Sequence, residues 1–321
     1  MSTTTTSFIP PDLDAIWRAA ERIAPYAQRT PVLRSGSLDA ETGAQLYFKC
    51  ENFQRIGAFK FRGACNAVFA LSDTDAARGV ATHSSGNHAA ALALAAKLRG
   101  IPVHVVMPEN TVSVKIESVR RLGASIVFCE PNHDARIATL ERVQAQTGAV
   151  LIHPFADANV IAGQGTATLE LIREIGRLDA VIAPISGGGL LSGTAIAARG
   201  LLPEVAIYGA EPSGADDAAR SFASGELMQN RAVDTVCDGL RADLGAPNFA
   251  ILRAHDTRIL TLSDAETMAA LRLVYERLKI VIEPSCAIPL AAIYKYPDEF
   301  RGRRVGVIFS GGNVDLAALR W

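Results

Sequence analysis

Lys60 stands between two aromatic residues in the run Ile56-Gly57-Ala58-Phe59-Lys60-Phe61-Arg62-Gly63-Ala64. Aromatic and small neighbours are an unusual setting for a solvated lysine. Partial desolvation lowers a lysine pKa and frees the amine to attack a carbonyl carbon. The same residues also suit a lysine that snorkels from the start of a helix. A second run, Thr82-His83-Ser84-Ser85-Gly86-Asn87-His88, brings hydroxyls, a glycine and an amide to a strand-to-helix turn. Such groups at a helix N-terminus can cradle a carboxylate or simply cap the helix. A third run, Ser186-Gly187-Gly188-Gly189-Leu190, again joins a strand to a helix. Consecutive glycines lack Cβ atoms, so backbone N–H groups can converge on a phosphate. Read alone, this run is equally a tight turn. With the later Glu211 it also half-matches a dinucleotide fingerprint.

These turns need elements to hold them. Short β-rich runs alternate with Ala-rich helical stretches. Apolar residues Leu13, Ile16, Trp17, Ala20 and Ile23 repeat at helical spacing. Strands are expected at 45–50, 80–83, 103–107, 125–129 and 149–153, with helices at 88–98, 113–122 and 135–147 between the later ones. A second series follows: helix 165–175, strand 179–184, helix 190–199, strand 205–210, helices 264–279 and 283–294, and strand 303–310. Repeated βαβ units imply parallel sheets with helices on both faces. The stretch 213–261 is the least regular and is expected to supply loops that shape a site.

The chain has 321 residues, 49% hydrophobic and 20% charged, with a formal net charge of −1. A sizeable core is therefore available, and no general field draws nucleic acid or anionic membrane. No apolar run is long enough to span a bilayer. Cys50, Cys65, Cys129, Cys237 and Cys286 are scattered and fit neither a disulfide framework nor a zinc site. Reduced, mostly buried thiols in a cytoplasmic protein are expected. Met1–Ser7 is polar and Thr-rich, unlike a signal peptide, and reads as a frayed tail. The histidines form no ligand pattern.

A reactive amine, a phosphate cradle and a carboxylate cradle together are what pyridoxal 5′-phosphate (PLP) needs to act on an amino acid. The runs Glu51-Asn52-Phe53-Gln54, Gly57–Gly63, Ser84–His88, Ala162-Gly163-Gln164-Gly165-Thr166, Gly187–Gly189 and Ser310-Gly311-Gly312-Asn313 stand in one order across nearly the whole chain. In that order the chain resembles the serine/threonine dehydratase and serine racemase family of fold-type II PLP enzymes. Thr42-Gly43-Ala44, Phe48–Gln54, His83–His88 and the Leu319-Arg320-Trp321 end also look like hydroxyaspartate dehydratases.

The resemblance implies an α/β, tryptophan synthase β-like architecture of open, mostly parallel sheets. A large PLP-binding domain would comprise 1–71 and 156–321, with a small mobile domain, 72–155, inserted in it. Lys60 would carry the cofactor and take the substrate α-proton, and Phe59 would pack on the ring. Asn87 would bond the phenolic oxygen, and Ser310 would face the pyridine nitrogen. Gly187, Gly188, Gly189 and Leu190 would bind the phosphate; Ser186 departs from a glycine common in the family. Ser84, Ser85, Gly86 and Asn87 would hold the substrate carboxylate. The implied reaction is elimination of water from L-serine, L-threonine or 3-hydroxyaspartate. The alternative is racemisation of serine or aspartate, with Ser85 acting on the face opposite Lys60.

A second substrate carboxylate would need a cation, for which Arg136 and Arg241 are candidates. Glu211, the carbonyl of Ala215 and Asp217 resemble the family's site for Mg²⁺, Ca²⁺ or Mn²⁺, whose hard character suits oxygen ligands. The same segment could instead cap the next helix. The expected partners are a small amino-acid substrate and a second copy in a homodimer. Because the chain ends just after the last motif, no regulatory C-terminal domain is expected.

Overall fold

Ala180-Val181-Ile182-Ala183-Pro184 is buried along its whole length, as a strand covered on both faces must be. In the computed structural model, which describes residues 8–319, it lies inside one of two sheets. The strands are β1 (Val32–Leu33), β2 (Gln45–Cys50), β3 (Val80–His83), β4 (Val103–Pro108), β5 (Ser125–Cys129), β6 (Val150–Leu151), β7 (Ala180–Pro184), β8 (Ala206–Pro212), β9 (Arg258–Leu262) and β10 (Arg304–Phe309). The six-stranded sheet has the order β1-β2-β10-β7-β8-β9, and the four-stranded sheet has the order β5-β4-β3-β6. Strand pairs are parallel, apart from antiparallel β1 and β2. The Met1–Ser7 tail and the Arg320-Trp321 end lie outside the described residues. Among the described residues, no helix is long and apolar enough to cross a membrane.

Most expected elements differ from the observed ones only at their ends. The helix expected to begin at Gly165 is the clear exception. It runs Ala158–Ile175, and the Asp157 side chain caps it by accepting from Val160 N–H at 2.9 Å. From Val160 to Leu169 it is buried on every side, so no amphipathic stripe marks this stretch. The Ala162–Thr166 motif is thereby a helix–helix contact. A Cβ on Gly163 would lie 2.6 Å from the Arg62 carbonyl oxygen and from Gly63 Cα. A Cβ on Gly63 would lie 2.7 Å from the Val160 oxygen. The helices Lys60–Ala70 and Ala158–Ile175 therefore touch backbone to backbone, which fixes where Lys60 begins its helix.

Charge also anchors this junction. Arg62 is fully buried. Its guanidinium donates to Glu51 at 2.7 and 2.9 Å and to Glu170 at 2.8 Å. Lys49 joins through Glu170 at 2.7 Å. Two cations face two carboxylates, so the buried network is neutral. The irregular stretch 213–261 holds the helices Asp217–Ser224 and Ala246–Ala254 and most of β9.

Candidate active site

Ligands of open parallel sheets bind beyond the carboxyl ends of the strands. Here Ser84 follows β3, His153 lies past β6, Gly187 lies past β7, and Ser310 follows β10. The Lys60 segment is tied to several of these ends. Phe59 N–H donates to the Ser310 carbonyl at 2.9 Å, and Ala58 bridges to Gly311. Lys60 Nζ donates to the Pro154 carbonyl at 2.9 Å and lies 5.2 Å from the centre of the Phe59 ring. Among the described residues it forms no ion pair, and burial pushes its amine down to about 8. More unprotonated nucleophile is then present near neutral pH than an ordinary lysine supplies.

Phe155, next to Pro154, packs on the glycine turn. A Cβ on Gly187 would meet the Phe155 ring, and one on Gly188 would lie 2.7 Å from Asn248 Cβ. Gly188 has φ +92°, a left-handed conformation that glycine adopts without strain. It begins the helix Gly189–Leu201 with no side-chain cap, so the first-turn N–H groups are open to an anion. Ser186 turns away: its Oγ donates to the Ala242 carbonyl at 2.9 Å and accepts from Ala242 N–H at 3.0 Å. An uncapped cradle for phosphate and a depressed lysine without an acidic partner both fit PLP.

The Ser84–Asn87 turn opens the helix Asn87–Arg99 at Gly86, also without a side-chain cap. Ser84 Oγ accepts from Gly86 N–H at 3.3 Å. Asn87 Nδ2 donates to Glu283 Oε1 at 3.2 Å, and Asn87 Oδ1 accepts from Asn313 Nδ2 at 2.8 Å.

Three of the histidines, His83, His88 and His153, gather here. The rings of His83 and His153 are 5.6 Å apart, edge to face. Burial, then Arg136 and His133, push His83 down to about 4. Burial, then His83 and Lys60, do the same to His153. Burial, then Lys60, hold His88 well below the ordinary imidazole range. Sequence spacing could not join 83 to 153; that His83 ends one strand and His153 follows another of the same parallel sheet is the available signal. Arg136 thus lies close to His83, and its buried Nε has no hydrogen-bond partner among the described residues. Arg241 is exposed and donates to the Val233 carbonyl at 3.5 Å.

Glu211, Ala215 and Asp217 are buried together. Glu211 accepts from Ala218 and Ala219 N–H at 3.0 and 2.8 Å, so it caps the helix Asp217–Ser224. Asp217 accepts from Asn230 Nδ2 and Leu244 N–H, both at 2.7 Å. Burial first, and Asp217 in addition, push Glu211 up to about 8. Neither carboxylate has a cationic partner in an ion pair among the described residues. No cluster of three or more His, Cys, Asp or Glu side chains able to hold a metal occurs among them.

Residues 23–311 match the family described as pyridoxal-phosphate dependent enzyme. The chain is 51% identical to a β-hydroxyaspartate dehydratase of Paracoccus denitrificans, over 97% of this chain and 99% of that protein. It is 49% identical to a serine racemase of Oryza sativa subsp. indica, over 96% and 92% of the respective chains. The structure of maize serine racemase superposes with a TM-score of 0.93 at 47% identity, covering 96% of this chain and 95% of the maize chain.

Proposed function

Because this chain belongs to the family of pyridoxal-phosphate dependent enzymes, we propose that it eliminates water from a small β-hydroxy amino acid, with 3-hydroxyaspartate preferred over serine and threonine. The observation that carries the preference is Arg136, whose buried Nε lacks a hydrogen-bond partner among the described residues and which lies beside His83, an imidazole that burial holds down. A dicarboxylic substrate would supply that partner. The β-hydroxyaspartate dehydratase relative supports the same choice.

The cofactor, when bound, draws electrons from the substrate Cα and so acidifies its proton. Lys60 Nζ takes that proton. The N–H groups of Gly187, Gly188, Gly189 and Leu190 would hold the phosphate, Phe59 would line the ring and Asn87 would donate to its phenolic oxygen. Ser310, a hydroxyl in place of a carboxylate, would leave the pyridine nitrogen largely unprotonated. Ser84, Ser85, Gly86 and Asn87 would orient the substrate carboxylate. Loss of the β-hydroxyl yields, after hydrolysis, a 2-keto acid and ammonia.

The second reading is racemisation, favoured by the Ser85 hydroxyl and by the serine racemase relatives. Both readings use Lys60, so one experiment separates them: the holoenzyme is given L-serine, L-threonine and the 3-hydroxyaspartates. Keto acid and ammonia from hydroxyaspartate support the proposal; accumulation of an enantiomer without ammonia refutes it.

On the same footing, we read 72–155 as an inserted lobe that closes over substrate, and the molecule as a cytoplasmic homodimer. Five free, buried cysteines suit a reducing compartment. We also assign Glu211, the Ala215 carbonyl and Asp217 to Mg²⁺, Ca²⁺ or Mn²⁺, because two buried carboxylates lie side by side with no ion-pair partner among the described residues and only Arg220 nearby as a cation. Chelation should lower the melting temperature and the same cation should restore it; indifference to both excludes the site.

A further inference from the structure

Asn87 sits in a polarised chain of amides that runs from a backbone carbonyl to the Glu283 carboxylate, both acceptors while Glu283 is ionised. At one end is the carbonyl oxygen of Ile56, which takes a 2.7 Å bond from Asn313 Nδ2. The same nitrogen donates its other proton to Asn87 Oδ1 at 2.8 Å. The Asn87 oxygen therefore faces Asn313, and its NH₂ faces Glu283 Oε1 at 3.2 Å. Turning over either amide would set acceptor against acceptor. The Ile56 end is also unusual. Ile56 has φ 59° and ψ 10°, a strained left-handed conformation for a β-branched residue.

Glu283 is the N-cap residue of the helix Pro284–Lys295, yet its side chain makes no cap hydrogen bond. It reaches across to Asn87 instead. A Cβ at residue 311 would lie 2.8 Å from Glu283 Oε1, so the glycine there leaves the carboxylate its place. Burial pushes Glu283 up to about 7. The charged groups facing it are Asp238, which raises it, and Lys115, which lowers it, while the bond from Asn87 also lowers it.

We propose that Glu283 and Asn313 are positioning residues that lock the Asn87 amide, leaving its second N–H to donate to the phenolic oxygen of the cofactor. The proposal rests on reading Asn87 as a cofactor contact. Glu283 acts through Asn87. Its charge changes near neutral pH, so the polarity of the Asn87 donor changes with it.

The test uses purified holoprotein and reads the visible absorption band of the bound cofactor, its pH titration, and the PLP dissociation constant. Glu283→Ala removes the acceptor, and Asn313→Asp places a carboxylate against two acceptors. Each should shift the band and weaken cofactor binding about tenfold, the scale of one hydrogen bond to a charged group. Glu283→Gln keeps an acceptor oxygen. It should bind PLP within about twofold of wild type on that scale and lose the component of the titration near 7. Wild-type band, titration and affinity in Glu283→Ala and Asn313→Asp overturn the proposal. If Glu283→Ala does not fold, Glu283→Gln and Asn313→Asp decide: a wild-type titration in both overturns it. A wild-type holoprotein without a borohydride-sensitive band would instead refute the Lys60 assignment, which separates the two failures.

Discussion

Replacing Arg62 by Met should destabilise the protein severely although Arg62 touches no expected substrate atom. The guanidinium is fully buried and holds Glu51 and Glu170. After the change Glu170 keeps Lys49 at 2.7 Å. Glu51, equally buried, keeps, among the described residues, only the Thr30 hydroxyl at 2.6 Å. Removing one partner of a buried ion pair costs about 3–5 kcal/mol, against a total stability of roughly 5–15 kcal/mol. A fall in melting temperature on the order of 10 °C follows. The assay is urea unfolding of wild type and variant at pH 7 and pH 4. Burial raises Glu170, but the bonds and charge of Arg62, with those of Lys49, outweigh it and hold Glu170 below the ordinary glutamate value of 4.5. A carboxylate depressed in the folded state contributes stability above its unfolded pKa and loses it as pH falls through the folded one. The difference between wild type and variant should therefore narrow below about pH 4.5. Adding Glu51→Gln to Arg62→Met should recover part of the loss. A deficit under about 1 kcal/mol at pH 7, far below the cost of a broken buried pair, would refute the reasoning. So would a deficit that ignores pH.

Three further outcomes are expected. Gly163→Ala forces a Cβ to within 2.6 Å of the Arg62 oxygen; it should cost about 1–3 kcal/mol in urea unfolding, and a neutral result would deny the close helix contact. Reductive trapping of PLP on the apoprotein should speed up as pH rises through 8, where the Lys60 amine loses its proton, and should be absent in Lys60→Ala. Arg136→Leu should lower kcat/KM for 3-hydroxyaspartate by roughly 10- to 100-fold, the scale of a charge-assisted bond, while leaving serine turnover little changed; an equal loss for both substrates would remove Arg136 from selectivity.

The βαβ alternation was legible because strands covered on both faces carry unbroken apolar runs, as Ala180–Pro184 does. The Lys60 run is legible through its aromatic and small neighbours, and the Ser84–Asn87 and Gly187–Gly189 runs through hydroxyls, an amide and glycines gathered at strand-to-helix turns. Local patterns ended there. The Ala162–Thr166 run reads from sequence as a motif of unknown purpose, and only the approach of its helix to Gly63 at Gly163, and to Gly193 and Ile16 at Gly165, explains its glycines. Arg62 sits two residues from Lys60, but only the fold sets it against Glu51 and Glu170 and makes it an anchor rather than a surface charge.

Lys60 shows the division most directly. Its sequence setting, between Phe59 and Phe61, already marks an amine kept from water. Burial in the tertiary structure pushes that amine down to about 8 with no acid beside it. The partners that define its surroundings come from distant segments: Pro154, Ser310 and, through Asn87, Glu283 and Asn313. Desolvation and hydrogen-bond direction are properties of the packed neighbourhood, and no window of sequence contains them.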